Sequence, residues 1–296
     1  MRKTAVVTAG TGGIGLETAV GLAAAGYAVT VVGRDPGRGA RAVARIDAAG
    51  PARRSRFLPA DLGSLDGVRA LAGRLADDHA ASGDPLTVLV NNVGAMFPAR
   101  TDLDGVEASF VVNHLSPYLL TELLLPTLAA AAPSRIVNVT SGAVALARRG
   151  FETVEPAGGY YGFHWYGRAK LANLAYTLDL AARLDGTGVS VFAADPGGAA
   201  TDMTDGTMTD PRIVSPALRL LWPLVRRRFE RSTSGPAATA ARPSITAATD
   251  EALAGRTGLL IGADTRPAAP ARAAADPRTA EAVRRLSERH APLSTS

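Results

Sequence analysis

The sequence predicts an α/β fold: a doubly wound parallel sheet of about seven strands with helices on both faces. Three observations predict it. Short apolar runs of strand type alternate with helical stretches along most of the chain, the pattern of parallel strands joined by right-handed crossovers. A strand, a glycine-rich turn and a helix follow one another at the N-terminus. Polar residues with chemical capacity stand at strand exits, where open sheets of this type bind their ligands. With 296 residues, 47% of them hydrophobic, the chain can fill one sizeable core in a single domain.

The strand-like runs are residues 5–8, 29–33, 56–59, 87–91, 135–140, 189–194 and 258–261. The first, Ala5-Val6-Val7-Thr8, leads into Ala9-Gly10-Thr11-Gly12-Gly13-Ile14-Gly15 and a helical pattern through Ala25. Strand, glycine turn and helix make a phosphate cradle: the turn lets the backbone approach closely, and the helix N-terminus offers free N–H groups. A glycine loop alone occurs in many α/β proteins, so the strand-turn-helix context carries the assignment. The fourth strand ends in Asn91-Asn92-Val93-Gly94. Asparagine side chains at such an exit can bond backbone groups and hold a loop open beside a ligand. The fifth, Arg135-Ile136-Val137-Asn138-Val139-Thr140, delivers the hydroxyl of Ser141.

The next helical stretch, from Phe163 to Leu184, carries Tyr166-Gly167-Arg168-Ala169-Lys170. Residues four apart share a helix face, so a phenol and an ammonium lie one above the other. A free tyrosine has a pKa near ~10, and a neighbouring positive charge favours its phenolate, which would make it a usable proton donor and acceptor. Alone, the spacing is weak evidence. In register with the glycine turn, the paired asparagines and Ser141 it is strong.

Two segments interrupt the alternation. Residues 201–236 hold Trp222, Phe229, Leu218, Leu220, Leu221, Leu224 and Val225 among arginines, bounded by prolines and glycines, which suits a lid or a packed connecting helix. The tail from Ala263 is rich in Ala, Arg and Pro, with one charged surface helix expected from Thr279 to His290 and disorder at the end. The expected organisation is a dinucleotide-binding and catalytic domain over residues 1–262, with a lid-like insertion at about 201–236, then an extension over 263–296.

Taken in order, these residues resemble the short-chain dehydrogenase/reductase family, whose pattern is T-G-x-x-x-G-I-G, then N-N-A-G, a serine after the fifth strand, and Y-x-x-x-K. The resemblance covers roughly residues 3 to 262. The stretch from Tyr166 to Leu184, with Val112-Asn113-His114-Leu115, looks most like the branch containing retinol dehydrogenases and related carbonyl reductases. It implies a Rossmann-type sheet and gives each residue a role. Tyr166 would be the general acid/base. Lys170 would lower its pKa and bond the nicotinamide ribose, and Ser141 would hold the substrate oxygen, with Thr140 a lesser rival. Asn113 would hold a water of a proton relay. The cofactor would be contacted by Thr8, Gly10, Thr11, Gly12, Gly13, Ile14 and Gly15, by Asn91, Asn92, Val93 and Gly94, and by Asp61 and Leu62 near the adenine. Pro196, Gly197 and Thr201 would run beside the nicotinamide and pyrophosphate.

Cofactor choice turns on the end of the second strand. Folds that prefer NAD place an acid there for the ribose 2′-hydroxyl, whereas an arginine accommodates the 2′-phosphate. In the family register that position is Gly33, followed by Arg34, while Asp35 suits an N-cap with Pro36 behind it. NADP(H) is therefore expected. The chain departs from the family pattern at Ala9 for the first glycine, Val93 for the usual alanine, Ala169 for a common serine and Asp195 where this branch often has histidine or asparagine.

Composition excludes other chemistries. There is no cysteine, hence no disulfide or thiolate. The four histidines, His79, His114, His164 and His290, lack metal-ligand spacing. No G-x-S-x-G surrounds Ser141. Net charge is +5, from 32 basic and 27 acidic residues largely interspersed, so nucleic acid is not an expected partner. No apolar run reaches the ~18 residues of a membrane span, and Met1-Arg2-Lys3-Thr4 runs straight into the first strand, so a cytoplasmic protein is expected. The many alanines and arginines suggest a GC-rich bacterial source. The expected function is NADP-dependent reduction of an apolar, bulky ketone or aldehyde to an alcohol. The alternatives are reduction of a quinone or polycyclic aromatic ketone in bacterial secondary metabolism and, in another class, a non-catalytic dinucleotide sensor. The complete Ser141, Tyr166 and Lys170 set argues against the sensor. A second copy of the chain is left open as a partner.

Overall fold

The computed structural model describes residues 3–51, 55–147, 150–155, 158–197, 210–220, 222–223, 227 and 235–294. Eight strands form one sheet in the order β10-β9-β8-β7-β4-β1-β2-β3. They are β1 (Thr4–Val7), β2 (Ala28–Gly33), β3 (Arg56–Pro59), β4 (Leu86–Asn91), β7 (Ser134–Val139), β8 (Val189–Ala194), β9 (Leu259–Ile261) and β10 (Pro267–Ala268). All neighbours are parallel except β9 and β10. The chain winds outward to one side through β2 and β3, then returns to place β4 on the other side of β1. The exits of β1 and β4 therefore bound the switch-point crevice where ligands bind.

The strands are apolar on both faces because both faces are covered. Val6, Leu89, Ile136 and Val191 face one layer, packed by Leu71, Leu75, Leu119 and Leu174 of helices α3 (Leu65–Ser82), α5 (Ser116–Ala130) and α6 (Gly162–Arg183). Val7, Val88, Val90 and Val137 face the other, against Leu22, Ile46 and Ala247 of α1 (Gly13–Ala24), α2 (Pro36–Ala49) and α8 (Ala237–Thr249). A short antiparallel pair, β5 (Asp102–Leu103) and β6 (Val106–Glu107), lies between β4 and α4 (Ala108–Phe110). One further turn, α7 (Pro216–Arg219), precedes α8.

Local chemistry sets the helix ends. Asp35 caps α2 by accepting from the Arg38 N–H at 2.6 Å, with Pro36 in the first turn, so it is committed to the helix as the sequence predicts. Ser64 caps α3, which closes on Gly83 at φ 67°, a left-handed stop that glycine adopts without strain. Between α4 and α5 the helix widens into a π turn, Val111–Leu115, centred on Asn113. Such turns cost regular hydrogen bonding and recur at functional sites.

All seven predicted strands are present, with ends within one residue. The eighth, β10, went unpredicted because two residues containing a proline carry no alternation. The tail helix α9 (Pro277–His290) forms, two residues longer than expected. Its Val283 and Leu286, with Ala291 beyond it, join the core that α5 and α6 share, so residues after 262 pack into the same body.

Candidate active site

Thr8, at the exit of β1, ties the two strands that bound the crevice. Its hydroxyl accepts from the N–H groups of Asn92 (2.9 Å) and Val93 (3.1 Å), and the Asn92 amide donates back to the Thr8 carbonyl at 3.1 Å. The paired asparagines then divide their work. Asn92 lines the turn; Asn91 is buried, its amide donating to Thr121 and Asn138, both at 2.8 Å. The side chain of Asn91 thus holds the sheet and does not face the crevice.

The glycine turn packs too closely against the protein for side chains. A Cβ at Gly10 would lie 2.7 Å from Val31, and one at Gly15 would collide with the Ala9 carbonyl and the Asn92 amide. Gly13 and Ala9 both sit in the left-handed region, at φ 51° and 49°. Ala9 therefore carries the strain that the usual glycine avoids. At the far end, a Cβ on Gly33 would meet the Thr11 side chain at 2.9 Å, so an acid at this position would require Thr11 to shift. Arg34 beside it is exposed. Arg38, one helical turn further, crosses the turn, because a Cβ on Gly12 would lie 2.5 Å from its Nη2. Sequence reasoning missed Arg38; its spacing of four from Arg34 at a helix start was the available signal. Asp61 is exposed and accepts from the Gly63 N–H, whereas Leu62 turns into the core and offers the crevice backbone alone.

The catalytic candidates meet at the exits of β4, β7 and β8. Ser141 caps the turn Gly142–Leu146, its Oγ accepting from the Ala143 N–H at 3.2 Å, and also bonds Tyr166. Thr140 turns inward, with a buried hydroxyl that has no partner. Lys170 is buried on α6 and donates to the carbonyls of Val139 (3.0 Å) and Val93 (3.3 Å). Burial lowers its pKa to about 8. Asn113 donates to the Ala95 and Ser109 carbonyls, both at 2.8 Å, and accepts from the Ala95 N–H at 3.1 Å. A Cβ at Gly94 would lie 3.2 Å from Asn113 Oδ1 and 3.3 Å from Lys170 Nζ, so both side chains close in on this glycine.

Tyr166 is 6% exposed, and its pKa is pushed up to about 12. Burial is the main cause, a hydrogen bond from Ser141 opposes it, and the charge of Asp195 adds to it. In this structure the Lys170 ammonium is engaged by the two strand-end carbonyls. Asp195, at the exit of β8, accepts from the Gly197 N–H at 3.0 Å, and burial raises its own pKa. Over the phenol lies an apolar cover, in which Met96, Ala143, Phe163, Ile213 and Val214 are buried with Tyr166, and Leu218 and Trp222 pack against them. Pro196 and Gly197 sit at the β8 exit; Thr201 and most of the predicted 201–236 segment lie outside the described residues.

Two buried charges shape the walls, and neither was singled out from the sequence. Arg168 donates to the carbonyls of Gly150, Thr153 and Val154 and stacks over Phe151 at 4.4 Å. Glu107 caps α4 through the N–H groups of Ser109 and Phe110 and accepts from Tyr160. Among the described residues there is no cluster that could hold a metal ion, and no helix is long and apolar enough to cross a membrane.

The short chain dehydrogenase family matches residues 3–212. The chain is 36% identical over 235 residues to retinol dehydrogenase 12 of Mus musculus, which covers 79% of this chain and 70% of that one. It is 38% identical over 208 residues to polyprenol dehydrogenase of Mus musculus, covering 68% and 61%. Among solved structures it resembles an uncharacterized protein of Mycobacterium paratuberculosis, with a TM-score of 0.73 and 26% identity over 98% of this chain and 93% of that one. It also resembles the RhlG/NADP active-site complex of Pseudomonas aeruginosa, with a TM-score of 0.67 and 29% identity over 88% and 94%. The curated relatives named here are mammalian and lend no support to bacterial secondary metabolism. Glycine turn, paired asparagines, serine, tyrosine and lysine stand in the family's order within the matched region, and the chain belongs to the short-chain dehydrogenase family, as an oxidoreductase similar to retinol dehydrogenases.

Proposed function

We propose that the chain is an NADP(H)-dependent carbonyl reductase acting on a bulky apolar ketone or aldehyde. The observation that carries this reading is the hydrogen bond between Ser141 and Tyr166, with Tyr166 packed among the apolar Met96, Phe163, Ile213 and Val214 and Lys170 one helical turn further along α6. Polar groups gather at one point of an otherwise greasy enclosure, which suits a substrate with a single carbonyl. The relatives' names, retinol and polyprenol dehydrogenase, speak of apolar alcohols.

The cradle fits a dinucleotide, since the turn packs too closely at Gly10 and Gly15 for any side chain and leads straight into the N-terminus of α1, whose free N–H groups suit a pyrophosphate. At its 2′ end the crowding at Gly33 and the guanidinium groups of Arg34 and Arg38 favour a phosphate over a free hydroxyl. When bound, the nicotinamide supplies the hydride. The Ser141 hydroxyl holds the substrate oxygen, and Tyr166, kept protonated by its raised pKa, donates the proton that completes the alcohol. Lys170 fixes the strand-end carbonyls around the site, and Asn113 fixes the loop of Ala95. The catalytic domain is read as residues 1–262, with 263–296 serving as its brace.

Fluorescence titration with both cofactors tests the reading. NADPH should bind much more tightly than NADH, and Arg34→Ala should weaken NADPH by about 1.5–3 kcal/mol, the worth of a hydrogen bond to a charged group, with NADH little affected. Equal affinities for the two would overturn the cofactor assignment.

A further inference from the structure

His164 lies two residues before Tyr166, and its two ring nitrogens have opposite duties. Nδ1 lies 2.9 Å from the Leu146 carbonyl, which can only accept, so Nδ1 carries a proton. Nε2 accepts the Ser215 N–H at 3.3 Å, a group that can only donate, so Nε2 keeps its lone pair. The neutral ring thus joins three pieces: the turn after Ser141, helix α6 and the segment 210–220. That segment is braced internally, because Arg219 donates to the carbonyls of Pro211, Val214 and Arg212 at 3.0–3.1 Å. Next to Ser215, Ile213 and Val214 are both 0% exposed and pack over Tyr166.

We propose that His164 is a positioning residue that latches segment 210–220 over Tyr166 when neutral and releases it when protonated. An imidazolium has an N–H on both nitrogens, so the Ser215 N–H would face a donor and the bond would break. Among the described residues, the charged and titratable groups around the ring are few. Tyr161, at the start of α6, meets it edge-on at 6.1 Å. On the segment stand Arg219, 5.7 Å over Tyr161, and the exposed Asp210–Arg212 pair at 2.7 Å. The turn Gly142–Leu146 carries no ionisable side chain. The latch needs the imidazole lone pair, so it holds at higher pH and is lost on acidification. It deepens the proposed function and rests on that reading's assignment of this enclosure to the substrate.

The test is amide hydrogen exchange across 210–220, corrected for intrinsic exchange, with KM and kcat for an apolar ketone, each at about pH 8 and about pH 5. In the wild type, protection of the segment should fall roughly tenfold or more on acidification relative to the core, and KM should rise more than kcat falls. His164→Gln, whose amide oxygen accepts but does not titrate, should stay protected with a flat KM. His164→Leu should be open at both pH values. Equal acid-induced opening in wild type and His164→Gln, or full protection in His164→Leu, would overturn the latch. If protection follows the expectation while KM ignores it, the latch stands and the assignment of the enclosure to the substrate fails.

Discussion

Tyr166 and its neighbours show how one residue's surroundings set the direction of chemistry. A phenol whose pKa is pushed up to about 12 stays protonated at neutral pH, although it parts with that proton less readily than a free tyrosine. The protonated form is the one that carbonyl reduction uses. Oxidation needs the phenolate and so belongs at higher pH. Asp195 adds to the barrier, because its negative charge disfavours a second one nearby. Asp195→Asn removes that charge while keeping an acceptor for the Gly197 N–H, and the pH profile of kcat/KM for alcohol oxidation should move to lower pH. An unmoved profile would mean that Asp195 does not act on Tyr166. The sequence showed Asp195 as a departure without a purpose, since its distance from Tyr166 in the chain hides their electrostatic contact. It also placed Lys170 correctly on the face of Tyr166, but spacing on a helix does not tell where a long side chain ends.

Secondary structure brings these groups together through the exits of β4 and β7 and the face of α6. In register, Asn91 stands opposite Asn138 on adjacent strands, so the carbonyls that follow them, Val93 and Val139, both come within reach of Lys170. The apolar strands and the cap at Asp35 were legible because they follow period and local hydrogen bonding. The π turn at Asn113 was not, because the bonds its side chain makes to Ala95, a residue in the loop after β4, leave no periodic signal in the sequence. Gly94 is the spacer of this arrangement. Gly94→Ala puts a methyl against Asn113 Oδ1 and Lys170 Nζ, and a displaced ammonium should lower kcat by about 10- to 100-fold. Circular dichroism and melting should show the fold retained, while unchanged kcat would show that the close approach is incidental.

At the scale of the whole molecule, the tail is tied to the catalytic body by a buried polar contact. The Ser287 hydroxyl donates to the Val283 carbonyl and accepts from His114 Nε2 at 2.7 Å, among the rings of Phe110, Tyr118 and Tyr176. Burial lowers the His114 pKa to about 3, so the folded protein holds this ring neutral where an unfolded chain would protonate it. The unfolded state then binds the extra proton between about pH 6.5 and about pH 3, and stability must fall as pH falls through that window. The expected slope is about 1.4 kcal/mol per pH unit from this residue, and urea unfolding of His114→Phe should lose that share. Equal slopes in the two proteins would place the acid sensitivity elsewhere, in His79 for instance, whose pKa is also lowered by burial. The sequence showed a charged tail helix but not its docking, since only Val283, Leu286 and Ser287 of that helix turn inward.

The chemistry itself rests on one hydroxyl. Tyr166→Phe keeps the ring and its packing beneath Ile213 and Val214 and removes the proton donor. Steady-state reduction of a simple ketone, with NADPH binding followed in parallel, tests it most directly. The mutant should bind NADPH like the wild type while kcat/KM falls by about 10²–10⁴-fold or more. A quinone, whose reduced oxygen is far less basic, can take its proton from water, so quinone turnover alone surviving would move the quinone reading ahead. Simple ketone turnover unchanged in Tyr166→Phe would contradict the account.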